Sequence, residues 1–469
     1  MNDSIYPLVE YAAAMRDEDI PDQVIRKTED LFQDTIGCIL SGSSATGMKE
    51  LKEITDLWGG AGHATVLPFG ERTSAPSAAF LNAAMAHAND YDDTHDSAVN
   101  HGCVTLVPAL LATCEALSED EGRSFSGAIP FRRISGREII SALAIGLDIS
   151  NRMGLAFIPY LHVGWLPTTL WGPFACAAAC GRLLRLDTER MYNAFGLAYS
   201  QIHANRQGLL DGVLTKRIQP AFSASAGVNS AFFAADNITG ARNIVDGDFG
   251  IRALYTSGRI DKGHIRDGLG TFFETVNVSI KPYPCCRCTH PVIDAALTLK
   301  KEHSIDWNNI SRGIIYLPPQ AMGQIGNEFE IRDNPTVDAQ FSAQYTAALS
   351  FIRGWPVIDD FEKENVISRE DIKTLAKRFS TVEFEKNQSG LVPVEMDLIL
   401  KDGRNFHARI PAAKGSRENP LTKDELVLKF NNCLDNSAKK YPRDAREKIL
   451  KGMEEFVNFE DMREFMRLF

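Results

Sequence analysis

The sequence predicts a mainly α-helical protein that carries an inserted α+β domain. Three observations support this fold class: helical apolar periodicity from residue 21 to about residue 257, strand-like alternation from about residue 268, and a return of the helical pattern after residue 422. We therefore predict a large all-helical domain in two sequence pieces, 1–268 and 413–469. A smaller α+β domain, 269–412, lies between these pieces in the sequence.

The first piece has apolar positions at helical spacing, separated by glycine and proline at turn-like intervals. Two stretches, 175–181 and 221–235, are rich in Ala, Gly and Ser, and Pro220 is expected to open the second of them. Small residues allow helices to approach closely, which predicts a tightly packed body or a subunit interface. Helices are predicted at 23–40, 77–88, 104–117, 136–153 and 173–184.

The middle piece alternates apolar and polar residues as β-strands do, and Lys401-Asp402-Gly403 indicates a hairpin turn in its last stretch. After it, Thr422 is a plausible N-cap, and Glu425 three residues later completes a capping box for a helix from Lys423. In the middle piece, helices are predicted at 290–301 and 338–352, and strands at 275–282, 313–318, 381–384 and within 394–410.

Composition and charge exclude several classes of partner. A chain of 469 residues with 44% hydrophobic and 24% charged residues is long enough for a sizeable core and is ordinary for a globular protein. A net charge of −11 and a pI near 5.5 argue against nucleic acid and anionic membrane, which demand basic surfaces. Nine cysteines without a disulfide-framework spacing favour a reducing compartment. We expect a soluble, non-secreted, cytoplasmic protein.

The stretch 87–101, HANDYDDTHDSAVNH, packs four aspartates and three histidines into fifteen positions. Titratable groups at this density cost folding free energy unless they are paired or used, so we expect chemistry here. An EF-hand loop is excluded, because its glycine and bidentate-glutamate positions hold His95 and His101. Some of the carboxylates are expected to cap helices. A divalent metal of a hydrolase stays open as an alternative, with His87, His95, Asp96 and His101 as ligands.

Two cationic clusters could bind an anionic small substrate. They are Lys216 with Arg217, and Lys281 with Arg287 and His290. The segment CCRCTH, 285–290, does not fit zinc, because its cysteines are too crowded to converge on one tetrahedral ion. Cys286 can be a buried hydrophobe, a nucleophile or a pocket-lining thiol. The sequence has no GxGxxG, P-loop, GxSxG or HExxH match, which argues against the common nucleotide, hydrolase and zinc-protease sites.

Three motifs occur in a recognisable order. HANDYDDTHD is followed by His101, then by the segment around Lys216 with its small-residue helix and TGARNIVDGDFG, and finally by KPYPCCRCTHPVIDAA. These motifs resemble the MmgE/PrpD superfamily, whose members include 2-methylcitrate dehydratase, cis-aconitate decarboxylase and iminodisuccinate epimerase. The resemblance implies a helical domain in two pieces, an α+β lid and a homodimer. It also implies action on di- and tricarboxylates without metal or organic cofactor.

The resemblance further implies residue roles. Acid/base groups would move a proton next to a carboxylate, and cations would stabilise enolate-like charge. His101 is the acid/base candidate, while Lys216 and Lys281 would bind carboxylates or stabilise the enolate. Asp90 and Thr94 would orient His101 and the substrate. The implied catalytic residues are His101, Lys216, Asp90 and Thr94, and the implied substrate-binding residues are Lys281, Cys286, Arg287, Asp93 and His290.

Three positions depart from the decarboxylase branch of this superfamily. Leu166 and Cys286 stand where that branch has histidines, and Met322 stands where it has a tyrosine. Because each acid/base group typically contributes about 10²- to 10⁴-fold, cis-aconitate decarboxylase activity is not expected. His162 is not expected to replace the histidine missing at 166, because Pro167 interrupts any helix that would present both positions.

The leading hypothesis is a cofactor-independent lyase that dehydrates a hydroxy di- or tricarboxylate resembling 2-methylcitrate. One alternative is an epimerase of a dicarboxylate such as iminodisuccinate. The others are a metal-dependent hydrolase that uses the His/Asp cluster and a non-catalytic homologue that binds a metabolite.

Overall fold

A computed structural model describes residues 3–118, 129–384 and 390–469. Over these residues the chain is mainly helical with a few small sheets, as predicted. It contains two compact units. The first unit comprises Met1–Ala88, Ser97–Val278 and Cys433–Phe469, and the second unit comprises Asn89–Asp96 and Ser279–Asn432. The predicted domain boundaries at 268/269 and 412/413 stay a prediction.

The first unit is built mainly from helices, with one short antiparallel hairpin of β1 (Ala64–Val66) and β2 (Glu71–Thr73). The five helices predicted in the first piece of the sequence are present as α2, α4, α5, α6 and α7. The helices up to residue 266 are α1 (Tyr6–Ala14), α2 (Asp22–Gly42), α3 (Met48–Trp58), α4 (Ala75–His87), α5 (Cys103–Leu117), α6 (Gly136–Phe157), α7 (Pro167–Leu183), α8 (Thr188–Tyr199), α9 (Gln207–Leu210), α10 (Thr215–Ala235), α11 (Ile251–Tyr255) and α12 (Lys262–Arg266).

Two helices run through prolines that were expected to open them. The prediction that Pro220 opens the small-residue helix is wrong, because α10 begins at Thr215 and holds Pro220 in its interior. Likewise, α7 begins at Pro167 rather than near Pro173. A proline inside a helix costs a backbone hydrogen bond. Here α7 and α10 pack against each other and against their neighbours, and this burial outweighs the local cost.

Small residues let these helices approach closely, as the composition predicts. A Cβ added to Gly227 of α10 would overlap the Cβ of Cys176 in α7, and one added to Gly42 of α2 would overlap the backbone oxygen of Met85 in α4. Helix α6 with its following turn, Gly136–Tyr160, is long and apolar enough to cross a membrane by length and composition. Yet 94% of its apolar window is buried within the protein, as is common for a core helix.

The second unit contains a four-stranded sheet in the order β6-β5-β7-β8, with β5 parallel to β6 and antiparallel to β7. Helices α13 and α16 pack on the face that carries the buried residues of β7. The strands of the chain that follow β2 are β3 (Thr94–His95), β4 (Val278–Ser279), β5 (Ile310–Leu317), β6 (Phe379–Glu383), β7 (Val394–Leu400) and β8 (Asn405–Ile410). The helices that follow α12 are α13 (His290–His303), α14 (Pro319–Ile325), α15 (Pro335–Gln340), α16 (Ala343–Arg353), α17 (Lys363–Ser368), α18 (Glu370–Ala376) and α19 (Lys423–Asp435).

Helices α20 (Arg443–Glu454) and α21 (Met462–Met466) follow α19 and complete the first unit. The predicted capping box before α19 is confirmed: Thr422 N donates to Glu425 Oε2 at 2.7 Å, and Glu425 N donates to Thr422 Oγ1 at 3.3 Å. The predicted hairpin turn is confirmed by the pairing of β7 with β8. The predicted helix 338–352 is broken into α15 and α16, and the predicted strand 275–282 is reduced to the two residues of β4.

Candidate active site

Lys281 and Asp90, two of the predicted site residues, form an ion pair in the second unit. Lys281 Nζ donates to the backbone oxygen of Asp90 at 3.0 Å and lies 3.2 Å from Asp90 Oδ1. The Asp90 backbone has a φ of 51°, in the left-handed region that aspartate tolerates better than most residues. The acidic segment Asn89–Asp96 therefore joins the segment that begins at Ser279 in one compact unit.

The ammonium of Lys281 is buried, with its side chain only 1% exposed. Burial by itself would lower the pKa of Lys281, but the carboxylates of Asp90 and Asp92 outweigh it and raise that pKa above its usual value. The lysine therefore keeps its charge. Its partners among the described residues account for two of its three N–H donors, so one donor can serve a carboxylate or enolate oxygen.

Other side chains of the second unit fix the backbone of the acidic segment. Lys429 Nζ donates to the backbone oxygen of Tyr91 at 2.7 Å and lies 4.2 Å from the centre of the Tyr91 ring, a cation–π distance. Gln340 Nε2 donates to the backbone oxygen of Asn89 at 3.1 Å, and the Tyr91 hydroxyl donates to that of Pro282 at 3.2 Å. These contacts hold the Asp90 backbone from both sides.

Arg287 lies at the other end of the acidic segment and is fully engaged. Its Nε and Nη2 donate to the Asp96 carboxylate at 3.2 Å each, and Nη2 also donates to Ser279 Oγ at 3.2 Å. Its Nη1 donates to the backbone oxygen of Lys414 at 2.7 Å and to Nδ1 of His290 at 3.2 Å. All five N–H donors of Arg287 thus have acceptors. This arrangement favours a positioning role for Arg287 over substrate binding.

His290 is buried and neutral. Burial lowers the pKa of His290 well below its usual value, and the positive charge of Arg287 lowers it further. In the neutral tautomer Nδ1 accepts from Arg287, and Nε2 donates to the backbone oxygen of Cys285 at 3.3 Å. Its ring also makes an edge contact with Tyr283 at 5.2 Å. Both ring nitrogens are used within the second unit, so His290 also fits a positioning role.

Cys286 lies beside Lys281 and is 6% exposed. Its thiol donates to the side-chain oxygen of Gln324 in α14 at 3.8 Å. Met322, the apolar residue at the third departure, lies on the same short helix and packs against the core of the second unit. Cys286 and Met322, two of the three residues that differ from the decarboxylase branch, therefore lie in neighbouring parts of the second unit.

Asp93 and Thr94 are buried in the acidic segment, Asp93 completely and Thr94 at 5% exposure. Thr94 begins β3, which pairs with β4. Their predicted catalytic and binding roles stay predictions.

His101 lies in the first unit, in the loop before α5. Its backbone N–H donates to Thr168 Oγ1 of α7 at 2.9 Å, and its ring makes an edge contact with the ring of His87 at 5.0 Å. The preceding Asn100 donates to Ser150 Oγ of α6 at 3.1 Å. The loop is thus anchored to two core helices, which holds a half-buried imidazole in a defined place.

Lys216 lies in the first turn of α10 in the first unit and is half-buried. Leu166 is the N-cap residue of α7. An apolar side chain therefore lies at the start of this helix, where the decarboxylase branch has a histidine. His162 is exposed, and its Nε2 is 3.0 Å from Ser257 Oγ. As expected from Pro167, no continuous helix joins residue 162 to residue 166 among the described residues.

The residues considered as metal ligands divide between the two units, with His87 and His101 in the first and His95 and Asp96 in the second. Asp96 accepts hydrogen bonds from Arg287 and, at 3.0 Å, from Ser279 Oγ. Its carboxylate is therefore already committed to a cationic partner, which argues against the hydrolase alternative for this residue.

Sequence reasoning missed three residues that contact the second-unit part of the site: Gln324, Gln340 and Lys429. The burial of Lys429 could have been predicted from the sequence, because Lys429 lies four residues before the buried Cys433 on the apolar face of α19. Gln324 and Gln340 lie on short helices whose placement follows from tertiary packing alone.

Several known proteins are similar in sequence to this chain over most of its length. It is 26% identical over 439 residues to the cis-aconitate decarboxylase-like protein oryM of Aspergillus oryzae, covering 90% of this chain and 89% of the relative. It is 23% identical to a cis-aconitate decarboxylase of Aspergillus terreus, covering 97% and 94%, and 24% identical to that of Homo sapiens, covering 94% and 89%. Residues 7–262 match the MmgE/PrpD N-terminal domain, and residues 283–455 match the MmgE/PrpD C-terminal domain. The chain therefore belongs to the MmgE/PrpD family.

Proposed function

We propose that this chain is a lyase that removes water from a hydroxy di- or tricarboxylate resembling 2-methylcitrate. The reaction is a proton transfer at a carbon next to a carboxylate, with loss of the neighbouring hydroxyl, and it uses no metal or organic cofactor. Family membership supports a lyase. The substrate and the choice of dehydration are our proposal.

The buried ammonium of Lys281 carries this proposal. A carbon next to a carboxylate is acidified only when the negative charge that develops on the carboxylate oxygens is stabilised. Lys281 keeps its charge at 1% exposure and has one N–H donor beyond its contacts to Asp90. Water competes little for such a donor, so a substrate oxygen bound there gains more than it would at the surface.

The acid/base work is assigned to His101, with Lys216 as a second carboxylate ligand and Asp90 and Thr94 as orienting residues. These roles come from the family resemblance. His101 is supported by its anchored loop, and Asp90 by its ion pair with Lys281. Arg287 and His290 are assigned to positioning, because their polar atoms are taken up inside the second unit.

Dehydration is preferred to decarboxylation although the relatives named above are cis-aconitate decarboxylases or are named for likeness to one. Leu166 and Met322 are apolar where the decarboxylase branch has a histidine and a tyrosine. Leu166 is the N-cap residue of α7, and Met322 packs against the core of the second unit. Without these groups, we expect the remaining residues to support one proton abstraction and the departure of a leaving group.

We further propose that the protein is a cytoplasmic homodimer. Helices α3 and α10 of the first unit expose large apolar side chains: Leu57 is 86% exposed, Trp58 73% and Phe222 48%. A cleft of about 440 Å³ beside them is lined by Trp58, Phe80 and Phe222. An apolar surface of this kind is commonly covered by a partner. Light scattering on the purified protein would measure the mass, and a monomer would contradict this part of the proposal.

The test is proton NMR of the chelator-treated protein in deuterated water with 2-methylcitrate, citrate, cis-aconitate and iminodisuccinate. Loss of water from a hydroxy acid is the expected result. Inversion with deuterium incorporation and no elimination would replace the dehydratase with an epimerase, and carbon dioxide from cis-aconitate would replace it with a decarboxylase. Activity that returns only with added metal would overturn the cofactor-independent mechanism. Lys281→Met should abolish turnover, and the exposed Lys49→Met, whose side chain is 82% exposed, is the matched control.

A further inference from the structure

Gln340 is the last residue of α15, and it joins the two segments that carry the ion pair of Lys281 and Asp90. Its Nε2 donates to the backbone oxygen of Asn89 at 3.1 Å and to that of Pro284 at 2.9 Å. Asn89 directly precedes Asp90 in the sequence. Pro284 lies three positions after Lys281. One side-chain amide therefore holds together the two backbones on which the ion pair depends.

The orientation of the Gln340 amide follows from its partners. Both partners are carbonyl oxygens, which only accept hydrogen bonds, so the amide nitrogen and not the amide oxygen must face them. The side chain is buried, and each of the two hydrogens on Nε2 has one acceptor. Both donors of this group are thus used inside the second unit, which favours a positioning role for Gln340 over substrate binding.

The segment KPYP, 281–284, needs side-chain donors because of its composition. Proline has no backbone N–H, so Pro282 and Pro284 offer only carbonyl oxygens and cannot donate to a backbone ladder with the acidic segment. The Tyr91 hydroxyl donates to the backbone oxygen of Pro282 at 3.2 Å, and Gln340 donates to that of Pro284. Side-chain hydrogen bonds therefore connect these two segments where a β-sheet would use backbone N–H groups.

Gln340 is itself held in a defined place. Its backbone oxygen accepts from the N–H of Cys286 at 3.1 Å, which ties the end of α15 to the segment that follows KPYP. Within α15, the Asp338 carboxylate accepts from the backbone N–H of Arg332 at 2.6 Å and from Arg332 Nε at 2.9 Å. The short helix is thus anchored at both ends, and it presents the Gln340 amide from a fixed backbone.

We propose that Gln340 is a positioning residue of the reaction proposed above. By fixing the backbones of Asn89 and Pro284, it keeps the Lys281 ammonium against Asp90, with its remaining N–H donor available to the developing enolate. This assignment rests on the proposed function, because Gln340 acts through Lys281 and does not touch the substrate. A misplacement of about 1 Å in a group that stabilises the transition state can lower the rate by about 10²-fold.

Steady-state kinetics of Gln340→Met in the full-length protein test this role. Methionine matches glutamine in length and removes both donors, so kcat should fall by about 10- to 10²-fold and by a larger factor than KM rises. The matched control is Gln344→Met, because Gln344 is a buried glutamine of the same unit whose side-chain oxygen accepts from Ser342 Oγ at 3.1 Å. This control should keep the wild-type kcat. Equal losses in both variants would overturn the positioning role.

Two further comparisons separate positioning from a general loss of structure, with thermal unfolding of each variant as the check on folding. In a double-mutant cycle, Gln340→Met should lower kcat much less in the Asp90→Asn background than in the wild type, because the ion pair through which it acts is already disturbed. Additive losses would overturn the proposal.

Gln340→Glu tests the donors themselves. A protonated glutamic acid can donate one of the two lost hydrogen bonds, whereas a carboxylate can donate none. The kcat of this variant relative to the wild type should therefore rise as pH falls. If Gln340→Met does not fold, this comparison still decides, and a ratio that does not depend on pH would count against the proposal.

The two proposals fail in different ways. Wild-type kcat in a folded Gln340→Met would overturn the positioning role and leave the lyase standing. A wild type inactive on the whole substrate panel would overturn the proposed function, and hydrogen exchange without substrate would then still test the contacts of Gln340. Exchange in residues 89–96 and 279–290 should rise in Gln340→Met and stay unchanged in Gln344→Met. Unchanged exchange in Gln340→Met would show that its amide does not hold these segments together.

Discussion

Neutralising Asp90 tests the buried ion pair on which the candidate site depends. In Asp90→Asn the side chain keeps its size and one carbonyl oxygen, and asparagine tolerates the left-handed backbone at φ 51° as well as aspartate does. The backbone oxygen that accepts from Lys281 at 3.0 Å is also retained. The substitution therefore removes the charge of one partner and keeps the side-chain shape and this backbone contact.

The expected loss in the free energy of unfolding follows from the burial of the ion pair between Asp90 and Lys281. Removing one partner of a buried salt bridge typically costs about 3–5 kcal/mol, because it leaves an uncompensated charge. Asp92 also stabilises the Lys281 ammonium, and the backbone contact survives, so the lower end of that range applies. We expect a loss of about 3 kcal/mol in the free energy of unfolding, which is roughly a hundredfold in the folded-to-unfolded ratio.

The measurement is urea unfolding at pH 7 with hydrogen exchange of residues 89–96 and 279–290. The raised folded-state pKa of Lys281 means that its stabilisation is complete below the unfolded-state pKa of about 10.4 and is lost only as pH rises through the folded value. A measurement at pH 7 therefore reports the lysine's contribution in full. The double variant Asp90→Asn/Lys281→Met should recover much of the loss, because no buried charge is left unpaired.

A charge-neutralising change at an exposed pair is the matched control. Glu447 pairs with Arg443 at side-chain exposures of 64% and 93%, so Glu447→Gln should cost about 0.5 kcal/mol or less. A loss below about 1 kcal/mol in Asp90→Asn would show that the ion pair is not an important support of the second unit, as would a double variant no more stable than the single.

Three further predictions concern other parts of the chain. Burial raises the pKa of Asp294 to about 6, so the folded state binds the proton more tightly than the unfolded state and loses stability as pH rises from about 4 to 6. Asp294→Asn should remove this loss, which unfolding experiments at pH 4.5 and pH 7 should measure as about 2 kcal/mol in the wild type. An unchanged pH dependence in the variant would contradict the assignment. Gly227→Val should lower stability by about 1–3 kcal/mol or more, since its Cβ overlaps Cys176, and a neutral result in thermal unfolding would refute the close packing of α7 and α10. Lys216→Ala should lower kcat by about 10²-fold with an unchanged Tm, and wild-type kinetics would remove Lys216 from the site.

The sequence predicts the structure correctly where short-range interactions and tertiary packing favour the same conformation. The capping box of Thr422 and Glu425 and the hairpin of β7 and β8 follow from short-range chemistry, and both are confirmed. The predicted strand 275–282 fails for a tertiary reason. Glu274 N donates to Asp148 at 2.7 Å and Thr275 Oγ1 donates to the backbone oxygen of Ala144 at 2.9 Å, so α6 holds this segment in a short helical turn despite its alternating pattern.

The candidate site was predicted as separate motifs and could not be predicted as an assembly. Lys281 and Asp90 are 191 positions apart, and Lys429 and Tyr91 are 338 positions apart, so no local pattern links them. The resemblance supplied the predicted residues of the site, but it could not show that Arg287 and His290 use their polar atoms in hydrogen bonds within the second unit. That distinction depends on hydrogen-bond geometry, which one sequence does not encode in a readable form.

Three buried cations of the second unit separate into two kinds. Arg287 has acceptors for all five donors, and Lys429 is committed to the backbone and ring of Tyr91. In the described chain Lys281 makes two contacts to Asp90, which leaves one of its three N–H donors for a ligand. A guanidinium at position 281 would spread its charge over a rigid plane, whereas an ammonium holds two contacts to Asp90 and can still turn a third donor towards a ligand. For these two reasons, the chemistry of the side chain and its remaining donor, we propose Lys281 as the cation that meets the substrate.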